Sequence, residues 1–281
     1  MIVFPNAKIN LGLNIVERRP DGYHNIETVF YPIPLCDALE IVPSHGTDAT
    51  LTCYGNEVNC PVEKNLVMKA YRLLQQRHQL PPVDIFLYKH IPDGAGLGGG
   101  SSDAAFTLST LNHMFGLGLG SEELAAHAAT LGADCAFFIY NTPMMATGIG
   151  DVMSPISVSI EGLTLLLIKP PVSVPTKAAY AQITPKPAQV PIPSILEQEP
   201  QQWRDALVND FEASVFAQYP ELAHIKQSLY DAGALYAAMS GSGSSIFGIF
   251  PDTTSREQLE RLPLLSHYPA HFTLPLTALN N

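Results

Sequence analysis

The sequence predicts an α+β protein built as two lobes, residues 1–155 and 156–281. Two observations predict it. Strand-like alternation and helical periodicity interleave along all 281 residues, and an apolar fraction of 46% suffices for one large core or two medium ones. The length also accommodates a single larger domain.

The elements follow in order. Ala7 to Val16 alternates as a strand does, and Ala38 to Val42 and Ala49 to Tyr54 are further strands. Asn65 is placed to cap a helix carrying Leu66, Ala70, Leu73 and Leu74, which Pro81-Pro82 ends. Val83 to Lys89 is rich in strand-forming residues. A helix with Ala104, Ala105, Leu108 and Leu111 follows a glycine run, with Ser101 and Ser102 as its expected caps. Ser121-Glu122-Glu123 opens another helix that stops at Gly132, with Asp134 just beyond. Gly162 to Pro170 reads as a buried strand, and Thr184 to Pro200, rich in Pro and Gln, as a surface loop. Trp203 to Phe216 and Glu221 to Ala232 read as helices. Leu235 to Ser240 and Ile246 to Phe250 read as strands around Gly241-Ser242-Gly243-Ser244-Ser245. There are no internal repeats.

Composition excludes several classes. With a formal net charge of -11, the chain is a poor general partner for nucleic acid, which needs clustered Lys and Arg. An anionic ligand must be held by local geometry. No signal-peptide pattern and no membrane-length apolar run is present; Leu163 to Ile168 is far too short. Cys36, Cys53, Cys60 and Cys135 form no CxxC pair, so the expectation is reduced thiols in a cytoplasmic protein, with a Cys53–Cys60 disulfide as the alternative.

Gly94, Gly96, Gly98, Gly99 and Gly100 fall within seven residues, between a strand and a helix. Glycine carries a backbone entropy penalty, so such a run calls for close approach of main chain to a ligand. Unpaired N–H groups and the helix dipole there suit a phosphate. The alternative is a flexible surface turn. The run is not a Walker A loop, because no Lys follows the last glycine, and it does not open a βαβ unit as a dinucleotide fingerprint must. Asp103 would repel phosphate if it faced the ligand, so it is expected to face away.

Three segments together resemble the GHMP kinase superfamily: Pro5-Asn6-Ala7-Lys8-Ile9-Asn10-Leu11, the loop Pro92 to Ser102, and Met239 to Ser245. Further segments match the branch acting on a cytidine-diphosphate-linked alcohol: Arg19-Pro20-Asp21-Gly22-Tyr23-His24, Gly132-Ala133-Asp134, Lys169 to Thr176, and Asn209-Asp210-Phe211-Glu212. One departure is visible: Cys135-Ala136 stands where that branch usually has a small apolar residue and Pro.

The resemblance implies the two-lobe GHMP kinase fold, with a ribosomal S5 domain 2-like N-terminal lobe and a ferredoxin-like C-terminal lobe. It implies ATP and Mg²⁺ as cofactors and CDP-methylerythritol as small-molecule substrate, phosphorylated on the non-mevalonate route to isoprenoids. Substrate and ATP are expected in a cleft between lobes, and the chain as a monomer or weak homodimer. Asp134 becomes the general base, where the residues alone allow equally an Asp capping a turn. Lys8, read alone an exposed strand lysine, becomes the cation that keeps Asp134 ionised and orients the alcohol. Asn10 shares its face and is substrate-binding. Tyr23 and His24, with Thr176 and Tyr180, are implied for the cytidine, and Gly241 and Ser242 for substrate support. Pro92, Gly94, Gly96, Leu97, Gly98, Gly99, Gly100, Ser101 and Ser102 are implied for the ATP phosphates, and Asn65 and Lys89 for the adenine side. Ser102 is the leading magnesium contact, with Asp134 a second. Rival readings are another kinase of the superfamily, acting on homoserine, mevalonate or a sugar, and a non-catalytic binder on the same fold.

Overall fold

The computed structural model describes residues 1–58 and 60–277. In chain order the strands are β1 (Ile2–Val3), β2 (Asn6–Arg18), β3 (His24–Cys36), β4 (Ala38–Pro43), β5 (Thr50–Gly55), β6 (Val83–Lys89), β7 (Met144–Thr147), β8 (Val152–Pro155), β9 (Thr164–Ile168), β10 (Tyr236–Met239), β11 (Ile246–Phe250) and β12 (His271–Pro275). The helices are α1 (Leu66–His78), α2 (Gly99–Met114), α3 (Ser121–Ala129), α4 (Cys135–Tyr140), α5 (Thr176–Ala181), α6 (Ile192–Leu196), α7 (Phe211–Gln218), α8 (Pro220–Asp231) and α9 (Arg256–Glu260).

The chain packs as two units, neither continuous in sequence. The first comprises Met1–Ala7, Leu35–Asp93 and Gly98–Thr142; the second comprises Lys8–Pro34, Gly94–Leu97 and Pro143–Asn281. The position 155/156 falls inside the last of these segments.

The first unit holds a sheet of order β1-β4-β6-β5, in which β5 runs parallel to β6 and the other pairs are antiparallel. The alternation of β6 sends Val83, Ile85 and Leu87 into the core against Val67, Tyr71 and Leu74 of α1 and Ala104, Leu108 and Leu111 of α2. By the same alternation Lys89 points inward, and it is buried. Asn65 caps α1 as expected, its Oδ1 accepting from Val67 N at 2.9 Å. The serine caps of α2 are corrected. That helix begins at Gly99 with Gly98 as N-cap in the left-handed region (φ 74°), which puts Ser101 and Ser102 inside the first turns.

In the second unit the sheet β10-β11-β9-β12 is antiparallel throughout. Numbering its strands 1 to 4 from β9 gives the order 4-1-3-2. With α7 and α8 before β10 and α9 before β12, that is the βαββαβ ferredoxin-like arrangement. Its core joins Leu166, Ile168, Phe211, Leu222, Ile225, Met239, Ile246 and Phe250 to Leu13 and Ile15 of β2. The remaining sheet has the order β2-β3-β7-β8.

Two expectations for residues 184–216 are corrected. The segment Thr184 to Pro200 contains α6, whose Ile192, Ile195 and Leu196 are buried at helical spacing. Pro193 sits in its first turn, where the missing N–H costs nothing. Of the expected helix Trp203 to Phe216 only residues 211–216 are helical, as the start of α7 (Phe211–Gln218). The preceding main chain is bonded instead along β2: Leu13 N donates to Val208 O, and Asp210 N to Leu13 O, both at 2.8 Å. Those groups cannot also close a helical ladder. Among the described residues no helix is long and apolar enough to cross a membrane, and all four cysteines are free thiols.

Candidate active site

Read from the sequence alone, Lys8 is an exposed strand lysine. In the second unit it is buried with Asn10: Lys8 is 3% and Asn10 2% exposed. A buried ammonium demands partners. Lys8 Nζ donates to Asn10 Oδ1 at 2.7 Å and to the Gly96 carbonyl at 3.1 Å, and lies 4.9 Å from the centroid of the Phe30 ring. Asn10 Nδ2 donates to Thr28 Oγ1 at 2.9 Å, and Thr28 Oγ1 donates to the Gly12 carbonyl. Ser240 Oγ donates to Gly96 O at 2.8 Å. Lys8 and Asn10 therefore share a face, as the period of two requires. Thr28 and Phe30 carried no local signal in the sequence, and Ser240, though inside the Met239 to Ser245 segment, gave no sign there that it meets Gly96.

The glycine run needs a corrected reason at two positions. At Gly96 (φ +76°) a Cβ would sit 2.0 Å from the Ser240 carbonyl oxygen, so the close approach there is to protein main chain. Gly99 faces Ile91 and Lys89, where a Cβ would lie 3.0 Å from Ile91 Cγ2. Around Gly94 a Cβ would meet nothing within 4 Å, the open space a ligand cradle requires.

The turn between β10 and β11 is held by the Asn209–Glu212 segment. Asn209 Nδ2 donates to the carbonyls of Met239 and Gly241, both at 2.8 Å. Asp210 Oδ2 accepts from Ile15 N at 2.8 Å. Glu212 accepts from Met239 N at 2.8 Å and pairs with Lys226 at 2.6 Å. The segment stood out as a motif in the sequence, but nothing local said what it holds.

The residues expected on the acceptor side fall into two groups. Thr176 Oγ1 and Ser242 Oγ are 3.2 Å apart. His24 stacks on Tyr180 (centroids 4.8 Å, 16° between planes), and Tyr180 meets Phe211 edge-on at 4.8 Å. Tyr23 is 62% exposed at the end of a tight turn, in which Asp21 accepts from Tyr23 N at 3.0 Å and pairs with Arg19 at 2.8 Å. The Arg19 hydrogen bond holds the Asp21 carboxyl below its usual range.

In the first unit, α2 presents its N-terminal turn at Gly98–Ser102. Ser102 is fully buried and its Oγ has no hydrogen-bond partner. Leu97, by contrast, is a core side chain. Asp134 occupies the N-cap position of α4, yet its side chain makes no capping bond. The adjoining Cys135 thiol is buried, and burial pushes its pKa up to about 11 against a modest opposing pull from Ser101. Asn65 gives its carbonyl to the α1 cap. Lys89 is neither exposed nor alone: it pairs with Asp37 and, at 2.7 Å, with Asp103. Asp103 thus faces Lys89. Burial, only partly offset by Lys89, raises the Asp103 carboxyl to about 7. Burial alone would lower the Lys89 ammonium, but the two carboxylates outweigh it and hold it above its usual value.

Residues 65–142 match the family described as GHMP kinases N terminal domain, and residues 192–262 match GHMP kinases C terminal. The chain is 57% identical over 252 residues to a 4-diphosphocytidyl-2-C-methyl-D-erythritol kinase of Bacteroides fragilis, covering 89% of this chain and 92% of that one. A protein of the same name from Geobacillus thermodenitrificans is 38% identical over 86% of both chains. A crystal structure of 4-(cytidine 5'-diphospho)-2C-methyl-D-erythritol kinase superposes with a TM-score of 0.83 at 32% identity, covering 99% of this chain and 100% of that one. The Methanococcus jannaschii mevalonate kinase, at 13% identity and a TM-score of 0.74, shares the fold. A glycine cradle, a buried strand lysine and identity sustained over nine-tenths of the length thus point the same way: this chain belongs to the 4-diphosphocytidyl-2-C-methyl-D-erythritol kinase family of the GHMP kinases.

Proposed function

We propose that the chain transfers the γ-phosphoryl group of ATP to the 2-hydroxyl of 4-(cytidine 5'-diphospho)-2-C-methyl-D-erythritol, on the non-mevalonate route to isoprenoid precursors. The observation that carries the mechanism is the buried Lys8 ammonium, tied at once to Asn10 and to the carbonyl of Gly96 in the glycine loop.

Asp134 accepts the hydroxyl proton as the new O–P bond forms and the bond from Pγ to the ADP oxygen breaks. Lys8 keeps Asp134 ionised and orients the alcohol, and Asn10 fixes Lys8 and contacts substrate. The first-turn amides of α2, from Gly98 to Ser102, hold the transferring phosphates. Asn65 serves the adenine side, and Lys89 acts there by holding the strand end through Asp37 and Asp103. Tyr23, His24 and Tyr180 give the cytosine aromatic faces, with Thr176, Gly241 and Ser242 supporting the acceptor. In this reading residues 1–155 supply the ATP side and residues 156–281 add acceptor groups.

The residues present fit a magnesium ion. Ser102 Oγ is buried without a partner, while no cluster of three or more His, Cys, Asp or Glu among the described residues forms a protein cage. Ser102 would hold the ion, with Asp134 the second contact and phosphate oxygens and water completing its shell. Bound there, magnesium supplies charge neutralisation of the ATP phosphates. The chain is assigned to the cytoplasm, as a monomer or weak homodimer.

The test is ATP consumption by the purified protein with CDP-methylerythritol, beside Asp134→Ala. Turnover that requires the cytidylyl acceptor and vanishes in the variant supports the reaction and its base together. Turnover with homoserine or a sugar instead would sink the acceptor assignment, and full activity in the variant would remove Asp134 as base.

A further inference from the structure

Three charged side chains meet where the glycine loop begins and ends. Asp37, 1% exposed, sits between β3 and β4. Its Oδ1 accepts from the backbone N–H of His90 at 2.5 Å and of Ile91 at 2.8 Å, and its Oδ2 accepts from Lys89 Nζ. Its own N–H donates to Pro5 O at 2.9 Å. Lys89 Nζ donates onward to Asp103 Oδ2 at 2.7 Å. His90 and Ile91 are the last residues before the loop. Asp103 is the fifth residue of α2, the helix that follows it.

We propose that Asp37 is a positioning residue for phosphoryl transfer: through Lys89 and two backbone amides it fixes the strand end that enters the glycine loop against the helix that leaves it. The inference rests on the reading of that loop as the ATP phosphate cradle. The cluster is not explained by stability. One ammonium faces two carboxylates, and Asp103 Oδ1 is buried with no partner, a costly arrangement that an apolar packing would avoid. What it provides is a fixed spacing. Gly99 is set directly over it, since a Cβ there would lie 3.3 Å from Lys89 Nζ. Phosphoryl transfer is governed by alignment, and a shift of about 1 Å can cost on the order of a hundredfold in rate.

Asp37→Asn tests the idea with little change of shape. The asparagine carbonyl still accepts the two amides, while its NH2 faces Lys89 and cannot bind it. The expected result is a kcat at least about tenfold below the parent, with KM for CDP-methylerythritol within about threefold and an unchanged circular dichroism spectrum. Asp103→Asn serves as the second variant and is read in the same way if Asp37→Asn does not fold. A kcat within about twofold of the parent in the folded variant overturns the proposal, as does a fall in kcat matched by an equal rise in acceptor KM. A parent with no turnover on this acceptor takes down the reaction reading and this inference together. An active parent with indifferent variants takes down only the positioning role.

Discussion

Lys8 and Lys89 are both strand lysines, 3% and 5% exposed, and each reaches a different part of the glycine loop and its flanks. Within its own unit Lys8 is bonded to neutral oxygens, those of Asn10 and Gly96, beside the Phe30 ring. Lys89 is bonded to two carboxylates. Asp37, Lys89 and Asp103 sum to a negative charge while both carboxylates are ionised. The Lys8 contacts tie a strand to the glycine loop, whereas the Lys89 pairs tie a strand end to the helix that follows that loop.

The contrast breaks most sharply on exchange of each lysine for Met. Lys8→Met is expected to lower kcat by roughly 10²–10⁴, the range of a lost proton-transfer partner, in a protein that still folds. Steady-state turnover beside a melting curve checks it, and a large loss of stability with normal turnover would reverse the assignment. Lys89→Met is expected to cost about 3–5 kcal/mol of stability, because it leaves two buried carboxylates facing each other. Urea unfolding measures this.

Smaller changes sharpen the comparison. Asn209→Ala withdraws both bonds from the Met239 and Gly241 carbonyls and is expected to cost about 1–3 kcal/mol in the same assay. The least effect is one of pH. The folded Asp103 carboxyl, at about 7, lies above its unfolded value of 3.8. Its contribution to stability is therefore full below the unfolded value and is lost as pH rises through about 7. The loss has a slope of at most about 1.4 kcal/mol per pH unit. Asp103→Asn should flatten that slope relative to the parent across pH 5 to 8; parallel profiles would show that the carboxyl titrates normally.

Much of this arrangement was legible in the sequence, and the losses have physical causes. Val83–Lys89 and Ile246–Phe250 have the bounds their residues suggest, because apolar strands between turn signals are read locally. The alternation of β6 even directs Lys89 inward. Identifying its partners is another matter, since Asp37 lies 52 residues away and Asp103 lies 14 away, and no periodicity connects them. Ser101 and Ser102 looked like caps because hydroxyls usually cap. Gly98 took that place with a left-handed backbone that serine would resist. The expected helix from Trp203 failed where Asn209 and Asp210 spend their polar groups on partners in other elements. Long-range hydrogen bonding overrode local propensity there, and a separate set of long-range bonds builds the network around Lys8.

The state of Cys135 has a use in the laboratory. A thiol titrating near 11 and sealed in the first turn of α4 is almost wholly uncharged at neutral pH, so alkylating reagents that attack thiolates pass it by. Cys53 and Cys60 are exposed and will label first. Slow modification of Cys135 then acts as a stopwatch on the opening of the helix whose N-cap is Asp134, read by mass spectrometry without any engineered probe.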